Sequence, residues 1–380
     1  GLEKRPKLRF PGFDEPWKKC EFKEFAKVNP KCQSIPEQFY YIDLGSVEDG
    51  ELSNAKIENA LSAPSRAQRL LSCNDVLFQT VRPYQQNNYL FCKERSLPTV
   101  ASTGYAVFRT KYDVPFLYAL IHTGHFLNSV LSRCTGTSFP AVSASDIEDI
   151  LVSIPSLGEQ QKIGELFRLL NSKIRKQKAL IESLKKYKRG VTEAIFTKDL
   201  RFTTKGVPYP QWDKKYVGDI CKIQTGKSNT QDETSQGSYP FYVRSPIVRK
   251  SNRYLFDCEA VLTVGDGVGT GKVFHYVTGK FDLHQRVYAM TDFKIVSGKY
   301  FYYYFSHFFY DRVMRMTAKT SVDSVRYEMI DKMAIQIPCH EEQQQIVCFL
   351  DCLEHSVTEA EKTLNLLEKL KSGCLQQLFI

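Results

Sequence analysis

The chain has 380 residues with a formal net charge of +10, and 42% of them are hydrophobic, which suits two or three folded domains and excludes a disordered chain. No run approaches the roughly 18 apolar residues of a membrane-spanning helix, so neither a membrane protein nor a secretory leader is expected. The 11 cysteines lack the tight spacing of a disulfide scaffold, which indicates reduced thiols and hence a cytoplasmic protein. The basic net charge favours a polyanionic partner.

Residues 1–153 are predicted to form a first globular domain of the α+β class. Short β-type runs at 39–44, 75–81 and 105–108 are punctuated by Gly, Pro and Asn, and a helical pattern follows at 115–131. Arg can form two hydrogen bonds to a guanine edge, and Asn or Gln can do so to an adenine edge. A polar loop rich in these residues is therefore typical of proteins that read bases in a DNA groove. Such loops also cover many other soluble proteins. The loop after the second run contains Arg82, Tyr84, Gln85, Gln86 and Asn87.

Residues 154–198 are predicted to form one long helix. Apolar residues recur at alternating spacings of three and four, and the resulting seam is interrupted at Gln177 and Lys188. Glu159, which follows a proline, lies in the first turn, where the helix dipole favours an acidic side chain. At 1.5 Å per residue, a helix of about 35 residues is roughly 50 Å long. The predicted seam residues are Ile163, Leu170, Ile174, Ile181 and Leu184.

Residues 199–336 repeat the α+β pattern in a second globular domain. A helical pattern at 297–316 follows β-type runs at 239–243, 260–264, 272–277 and 287–290. Polar loops at 224–230 and 249–254 have the same mixture of cations, amides and aromatics as the loop of the first domain. They supply further candidates for reading bases.

A glycine-rich run at 265–273 comes close to a phosphate-binding loop but departs from it twice. Asp266 stands where the first glycine belongs, and Val273 replaces the hydroxyl that would bind magnesium. The residues that follow are strand-like and do not begin a helix. A hairpin turn is therefore the better interpretation.

Residues 337–380 are predicted to form a second long helix, in which Lys371 interrupts the seam at the position equivalent to Lys188. Cys348, Cys352 and His355 could share one helix face, but no fourth ligand is close apart from Cys339 and His340, so no metal is expected. The other histidines show no nucleophile or metal spacing, so no catalytic residue is predicted. The seam residues of this helix are Ile346, Leu353, Val357, Leu364 and Leu367.

The segment 155–196 recurs 183 positions later at 338–379. The first helical segment has 11 basic and 4 acidic residues, whereas the second has 3 basic and 7 acidic residues. Opposite charges and matching apolar stripes predict that the two helices pair as an antiparallel coiled coil. The alternative is two separate surface helices, each lying on its own globular domain.

Taken together, these elements resemble the DNA-specificity subunit of Type I restriction-modification systems. The resemblance covers nearly the whole chain and rests on the paired Ile-Pro-x-x-x-Glu-Gln-Gln openings at 154–161 and 337–344 and the helices behind them. The Leu-Arg-Phe and Trp leads at 8–17 and 200–212 also occur twice, and a Gly-Thr-Ser-Phe-Pro run at 136–140 precedes the first helix. The second half departs from this last run with Lys-Thr-Ser-Val-Asp.

The resemblance implies that each globular half is a target-recognition domain for one half of a bipartite site in double-stranded DNA, and that the helices form the spacer between them. Two modification (methylase) subunits would bind the helices, and a restriction subunit with translocase and nuclease activity would join for cleavage. S-adenosylmethionine, ATP and magnesium would belong to those partners, and this chain would hold no cofactor. The alternative is a non-catalytic coiled-coil scaffold whose globular halves bind proteins; an enzyme would require a nucleotide or metal to bind this chain alone.

The candidate DNA contacts combine the polar loops with the repeated Thr-Ser pairs that precede each long helix. They are Arg82, Tyr84, Gln85, Gln86, Asn87, Thr137, Ser138, Lys227, Ser228, Asn229, Arg244, Arg249, Lys250, Asn252, Arg253, Lys319, Thr320 and Ser321.

Overall fold

The structure, a computed structural model, describes residues 5–31, 34–92, 96–267, 269–316 and 324–380. The chain divides into two compact units: the first unit is Gly1–Lys178 with Lys362–Ile380, and the second unit is Ala179–Glu361. Each unit contains one globular half and part of each long helix. The predicted domain boundaries stay predictions, because these units cut across the helices.

The first half of the chain is a succession of short strands that ends in the first long helix. Its elements are β1 (Lys18–Glu21), α1 (Phe22–Phe25), β2 (Lys27–Val28), β3 (Gln38–Ile42), β4 (Val47–Glu48), β5 (Glu51–Leu52), β6 (Lys56–Asn59), β7 (Ala67–Leu70), β8 (Asp75–Gln79), β9 (Tyr89–Phe91), β10 (Thr99–Ser102), β11 (Tyr105–Arg109), α2 (Val114–Leu120), α3 (Gly124–Leu131), α4 (Ala144–Glu148), β12 (Leu151–Ile154) and α5 (Leu157–Phe196).

The second half follows the same plan. Its elements are β13 (Thr203–Thr204), β14 (Val207–Pro208), β15 (Asp213–Tyr216), α6 (Val217–Ile220), β16 (Lys222–Thr225), β17 (Tyr239–Tyr242), β18 (Arg249–Ser251), β19 (Phe256–Asp257), β20 (Ala260–Val264), β21 (Phe274–Val277), β22 (Lys280–Leu283), β23 (Val287–Thr291), α7 (Gly298–Met316), α8 (Tyr327–Asp331), β24 (Ala334–Ile337) and α9 (His340–Gln377).

The two units share one sheet topology. In the first unit, the described strands form sheets of order β6-β3-β10-β7 and β2-β11-β8-β9, and in the second unit the orders are β18-β17-β22-β19 and β16-β23-β20-β21. Each unit has one parallel pair of strands, β3 with β10 in the first and β17 with β22 in the second. Each unit also has an antiparallel two-stranded ribbon, β1 with β12 in the first and β15 with β24 in the second. The sequence repeat predicted for the helices therefore extends to the entire fold, and the predicted α+β class is confirmed.

The helical pattern predicted over 115–131 is divided into α2 and α3. The Thr123 hydroxyl accepts a hydrogen bond from Phe126 N at 3.3 Å, which caps the start of α3 at Gly124. The predicted helical pattern is therefore confirmed, as two helices in succession. A capping threonine followed by glycine gives the chain a local reason to begin a new helix.

In the first unit, α5 and α9 run antiparallel. Phe167 and Phe379 pack with ring centroids 5.9 Å apart, and further along α5 the Lys178 ammonium lies 3.8 Å from the Glu368 carboxylate. Residue numbers thus rise along α5 as they fall along α9.

The same direction holds in the second unit. Lys185 Nζ lies 2.7 Å from Glu361 Oε1, and Lys188 forms an ion pair with Glu354. The cations come from α5 and the carboxylates from α9, as the opposite segment charges predicted. The lysine that interrupts the apolar seam at position 188 is therefore accommodated by an acidic partner on α9.

The ten predicted seam residues are all buried or half-buried. Those that are buried are Ile163, Leu170, Ile181, Ile346 and Val357, and those that are half-buried are Ile174, Leu184, Leu353, Leu364 and Leu367. Other large side chains on the helices, such as Phe167 and Leu350, are buried more deeply because the helix ends also join the globular cores. None of the described helices is both long enough and apolar enough to cross a membrane.

A buried carboxylate fixes the start of α5 in the first unit. Glu159 is 1% exposed and accepts two hydrogen bonds from Arg9, Nε to Oε1 at 2.9 Å and Nη2 to Oε2 at 2.7 Å. Trp17 Nε1 donates to the same carboxylate at 3.1 Å. A bidentate guanidinium and an indole satisfy the buried charge, which would otherwise be costly.

The second unit builds the same cluster at the start of α9. Glu342 is fully buried and accepts from Arg201 Nε and Nη2 at 3.0 and 2.9 Å and from Trp212 Nε1 at 2.8 Å. The Leu-Arg-Phe and Trp leads recur in the sequence because each anchors the first turn of a long helix.

Candidate nucleic-acid interface

In the first unit, the loop after β8 lies against the segment that precedes α4. Val81 forms a β-bridge with Ala141, and Arg82 N donates to Pro140 O at 2.7 Å. The Arg82 guanidinium carbon is 4.4 Å from the centre of the Phe139 ring, which is 64% exposed. The structure thus unites two segments that the sequence separates by more than 50 residues, with Arg82 stacked on an aromatic surface.

The buried Gln79 side chain holds this loop in shape. Its Nε2 donates to Val81 O and to Gln85 Oε1, both at 2.8 Å, and its Oε1 accepts from Asn87 N at 3.1 Å. Arg82 and Gln86 adopt left-handed backbone conformations, with φ of 55° and 53°. The loop is therefore fixed by the protein before any ligand arrives.

A second layer of polar groups lies beneath this loop. Asn88 is buried, its Oδ1 accepts from Gln79 N at 2.9 Å, and its Nδ2 lies 3.3 Å from His122 Nε2. His122 Nδ1 lies 2.6 Å from Tyr118 O, which accepts its proton. Burial lowers the pKa of His122 to about 4, so its neutral ring accepts from Asn88 at pH 7.

In the second unit, residues 265–267 and 269–273 of the glycine-rich run take the place of this loop, and Val268 lies outside the described residues. Val142 N donates to Thr80 O in the first unit, and Val325 N donates to Gly265 O at 2.7 Å in the second. Asp266 forms a β-bridge with Ser324, as Val81 does with Ala141. The run connects β20 and β21, which pair antiparallel, so the predicted hairpin is confirmed.

A polar cleft of about 360 Å³ lies beside this hairpin. The Asp266 carboxylate accepts from Arg244 Nη1 at 3.3 Å and from Arg286 Nη1 at 3.1 Å. The cleft brings together two predicted residues and others that the sequence reasoning missed; its lining includes Asn229, Arg244, Asp266, His284, Gln285 and Arg286. Arg286 was missed because it stands in a tight turn between β22 and β23, where the polar run His284-Gln285-Arg286 is short.

Several predicted contacts in the second unit are engaged within the protein. Ser228 is buried and its hydroxyl donates to Asp282 at 2.6 Å, so we remove it from the candidate contacts. Arg253 Nη2 donates to Asp232 at 2.9 Å, and Arg249 forms an ion pair with Glu233. These arginines are partly exposed but already have carboxylate partners.

The remaining candidates lie at the surface or outside the described part of the chain. Lys319, Thr320 and Ser321 lie outside the described residues. Those that are exposed are Tyr84, Thr137, Ser138, Lys227, Lys250 and Asn252.

The metal face considered for α9 shows two exposed cysteines. Cys348 and Cys352 are exposed thiols, and within the described ranges no group of three or more His, Cys, Asp or Glu side chains is arranged to hold a metal ion. The side chains that converge are instead guanidinium, amide and aromatic groups, whose chemistry matches base edges and phosphates.

Two similar α+β domains, joined by two paired helices and presenting different polar loops, define an internally repeated protein. The chain belongs to the family described as the Type I restriction modification DNA specificity domain, whose model matches residues 15–186 and 209–371.

The curated proteins that the chain resembles are consistent with this family assignment. The chain is 27% identical over 159 residues to the Type I restriction enzyme EcoDI specificity subunit of Escherichia coli, and 24% identical over 162 residues to the HindI specificity subunit of Haemophilus influenzae. These matches cover 42% and 41% of this chain, and the chain spans about a third of the length of both curated relatives, 34% in each case.

Solved structures share the fold across the entire chain. The S subunit of a Type I restriction-modification system from M. genitalium has a TM-score of 0.70 at 12% identity, covering 99% of both chains. A chain from a structure concerning complex assembly and conformational transition of the type I R-M system has a TM-score of 0.54 at 20% identity, covering 98% of this chain and 99% of the other.

Proposed function

We propose that this chain is the sequence-specific DNA-binding subunit of a Type I restriction-modification complex, acting on duplex DNA in the cytoplasm. One observation carries the proposal: the same fold occurs twice with different side chains at the equivalent loop. In the first unit Arg82 stacks on Phe139, and in the second Asp266 lies between Arg244 and Arg286. A common scaffold with unlike loops suits two readers of different half-sites.

The long helices are the proposed binding surface for two modification subunits. Leu180 and Tyr187 on α5 in the second unit, and Leu366 and Leu370 on α9 in the first unit, are each about half exposed or more. Apolar side chains at the surface of paired helices are typical of a protein interface. The proposal assigns these residues to methylase contacts.

Catalysis would reside in the partners. The proposed complex supplies S-adenosylmethionine through the modification subunits, and ATP and magnesium through a restriction subunit that joins for cleavage. This chain would choose the DNA sequence, and the family role supports that division.

Mapping modified adenines tests the proposal directly. The chain is co-expressed with a cognate modification subunit in a host that lacks other adenine methylases, and the modified adenines are mapped across the genome. A two-part motif with a constant gap is expected. A single uninterrupted motif, or no modification beyond that of the methylase alone, would refute the two-reader function.

Salt dependence separates this function from the alternative of a protein-binding scaffold. DNA affinity should fall steeply as salt rises, because bound lysines and arginines release counterions from the phosphates. A scaffold that binds only proteins should show little affinity for duplex at any salt concentration.

A further inference from the structure

The turn at 283–287 in the second unit holds Arg286 in a fixed position. Arg286 N donates to His284 Nδ1 at 3.0 Å, and Arg286 O accepts from Gly265 N at 2.8 Å. A Cβ at position 265 would lie 2.8 Å from Arg286 O, and a Cβ at Gly226 would lie 2.0 Å from Leu283 O. Glycine is required at both positions because two other segments approach the turn closely. The backbone that carries Arg286 is therefore held from two sides.

The side chain of Arg286 is oriented by Asp266. The carboxylate uses one oxygen for Arg286 and the other for Arg244, so a single acidic group aligns two guanidinium groups. The arginine side chains are 62% and 48% exposed, respectively. Each guanidinium has five N–H donors, and these bonds use one from each. Exposed donors thus remain to contact a ligand in the cleft.

The chemistry of the cleft selects a ligand with two adjacent acceptors. Guanine offers O6 and N7 in the major groove, and a forked arginine is their commonest partner. Three amides that could read adenine line the cleft, Asn229, Gln231 and Gln285. Two of them, Asn229 and Gln285, are bonded to each other at 2.5 Å. Asp266 offsets one of the two positive charges of Arg244 and Arg286, so the cleft attracts a phosphate less strongly than two unpaired arginines would. A guanine edge therefore fits the cleft better than a phosphate.

We propose that Arg286 reads a guanine in the half-site bound by the second unit, with Asp266 as the positioning residue for its guanidinium. The inference rests on the proposed function, because it requires the second unit to bind duplex DNA.

The test uses the full chain in complex with its modification subunits and a library of duplexes randomised in both half-sites. Bound duplexes are sequenced at two salt concentrations. The unaltered protein should select guanine at one position of one half-site. Arg286→Lys should reduce that selection by about 10- to 100-fold while retaining most of the affinity, because lysine keeps the charge but loses the fork. Asp266→Asn should weaken selection at the same position by a smaller factor.

Lys214→Ala is the matched control, because Lys214 is an exposed cation on β15 of the same unit and does not line the cleft. It should leave the base profile unchanged. Arg286 is largely exposed, so its substitution decides the question even if Asp266→Asn fails to fold.

Two results would overturn the inference. Arg286→Ala could lower affinity equally for all sequences with a shallower salt dependence, which identifies a phosphate contact. Alternatively, Arg286→Lys could leave the guanine preference intact. If the unaltered protein selects no two-part sequence, the proposed function itself fails, and the inference fails with it.

Discussion

At the scale of single residues, Glu159 and Glu342 do more than the sequence suggests. An acidic side chain in the first turn of a helix is expected to lie at the surface, where the helix dipole stabilises its negative charge. Both carboxylates are instead buried and bonded to an arginine and a tryptophan of the preceding segment. The helix start and the lead segment therefore depend on each other for stability.

Glu342→Gln should destabilise the second unit by about 3 kcal/mol, because it leaves the Arg201 guanidinium without its charge partner in a largely buried site. Urea unfolding at pH 7 measures the change in the free energy of unfolding. Glu341→Gln, at the exposed neighbouring position, is the control and should change stability little. Equal effects of the two substitutions would contradict the buried role of Glu342.

Arg82→Ala should relax base selection in one half-site and leave the other intact, because Arg82 belongs to the loop of the first unit alone. Its loss also frees the exposed Phe139 ring from its stacked partner. Sequencing of bound duplexes from a randomised library measures both half-sites at once. Lys19→Ala removes an exposed cation from β1 of the same unit and should have no such effect. Equal relaxation of both half-sites would contradict the two-reader arrangement.

Stability should fall as pH decreases from about 6.5 toward 4, because the folded state keeps His122 neutral while the unfolded chain takes up a proton. The surrounding groups Tyr118, Asn88 and Lys371 offer the ring no carboxylate partner, and Lys371 opposes protonation. Urea unfolding of the unaltered protein and of His122→Gln at pH 5 and 7 measures the effect. The variant should lose less stability between these pH values. Parallel losses would show that other groups, such as His275 and His284, dominate.

At the scale of elements, the long helices were predictable because charge and periodicity are local properties of the sequence. Opposite charges indicated the partner, and the ion pairs Lys185–Glu361 and Lys178–Glu368 agree with that prediction. A strict heptad could not indicate the deep burial of Phe167, because that side chain packs on the globular core of its unit. The seam is therefore wider than the coiled-coil pattern implies.

The strands were predictable where both faces are apolar, as in β20, which is buried along its length. The short edge strands were missed because two to four residues with a mixed burial pattern carry little periodic signal.

The residues of the candidate site were likewise predicted only in part from the sequence. Arg82 and Phe139 were both noticed, but their contact depends on a β-bridge between distant segments. Ser228 looked available because its buried partner Asp282 lies 54 residues away in the chain.

Deleting one heptad from each helix, residues 179–185 with 361–367, should shorten the gap between the recognised half-sites by about three base pairs, since seven residues span roughly 10 Å. The modified-adenine map of the co-expressed complex measures the gap. Deletion from α5 alone is the comparison and should abolish assembly, because it puts the seam out of register. An unchanged gap after the paired deletion would contradict the spacer role.

At the scale of the whole molecule, the repeat in the sequence understates the repeat in the fold. Residue matches are dense in the helices, whereas the sheets agree in topology with little agreement in sequence. The glycine-rich run and the Arg82 loop occupy equivalent places although they share no motif. Packing constrains the scaffold, whereas loop side chains are free to differ.

The first unit is discontinuous, and this has a consequence for biosynthesis. Leu378 and Phe379 belong to its core, with the Phe379 ring stacked 5.4 Å from Phe116, and Leu8 N donates to Gln377 O. A ribosome releases these residues only after the other half of the polypeptide has emerged. The first unit is therefore the first to be translated in large part, but the last to complete its hydrophobic core.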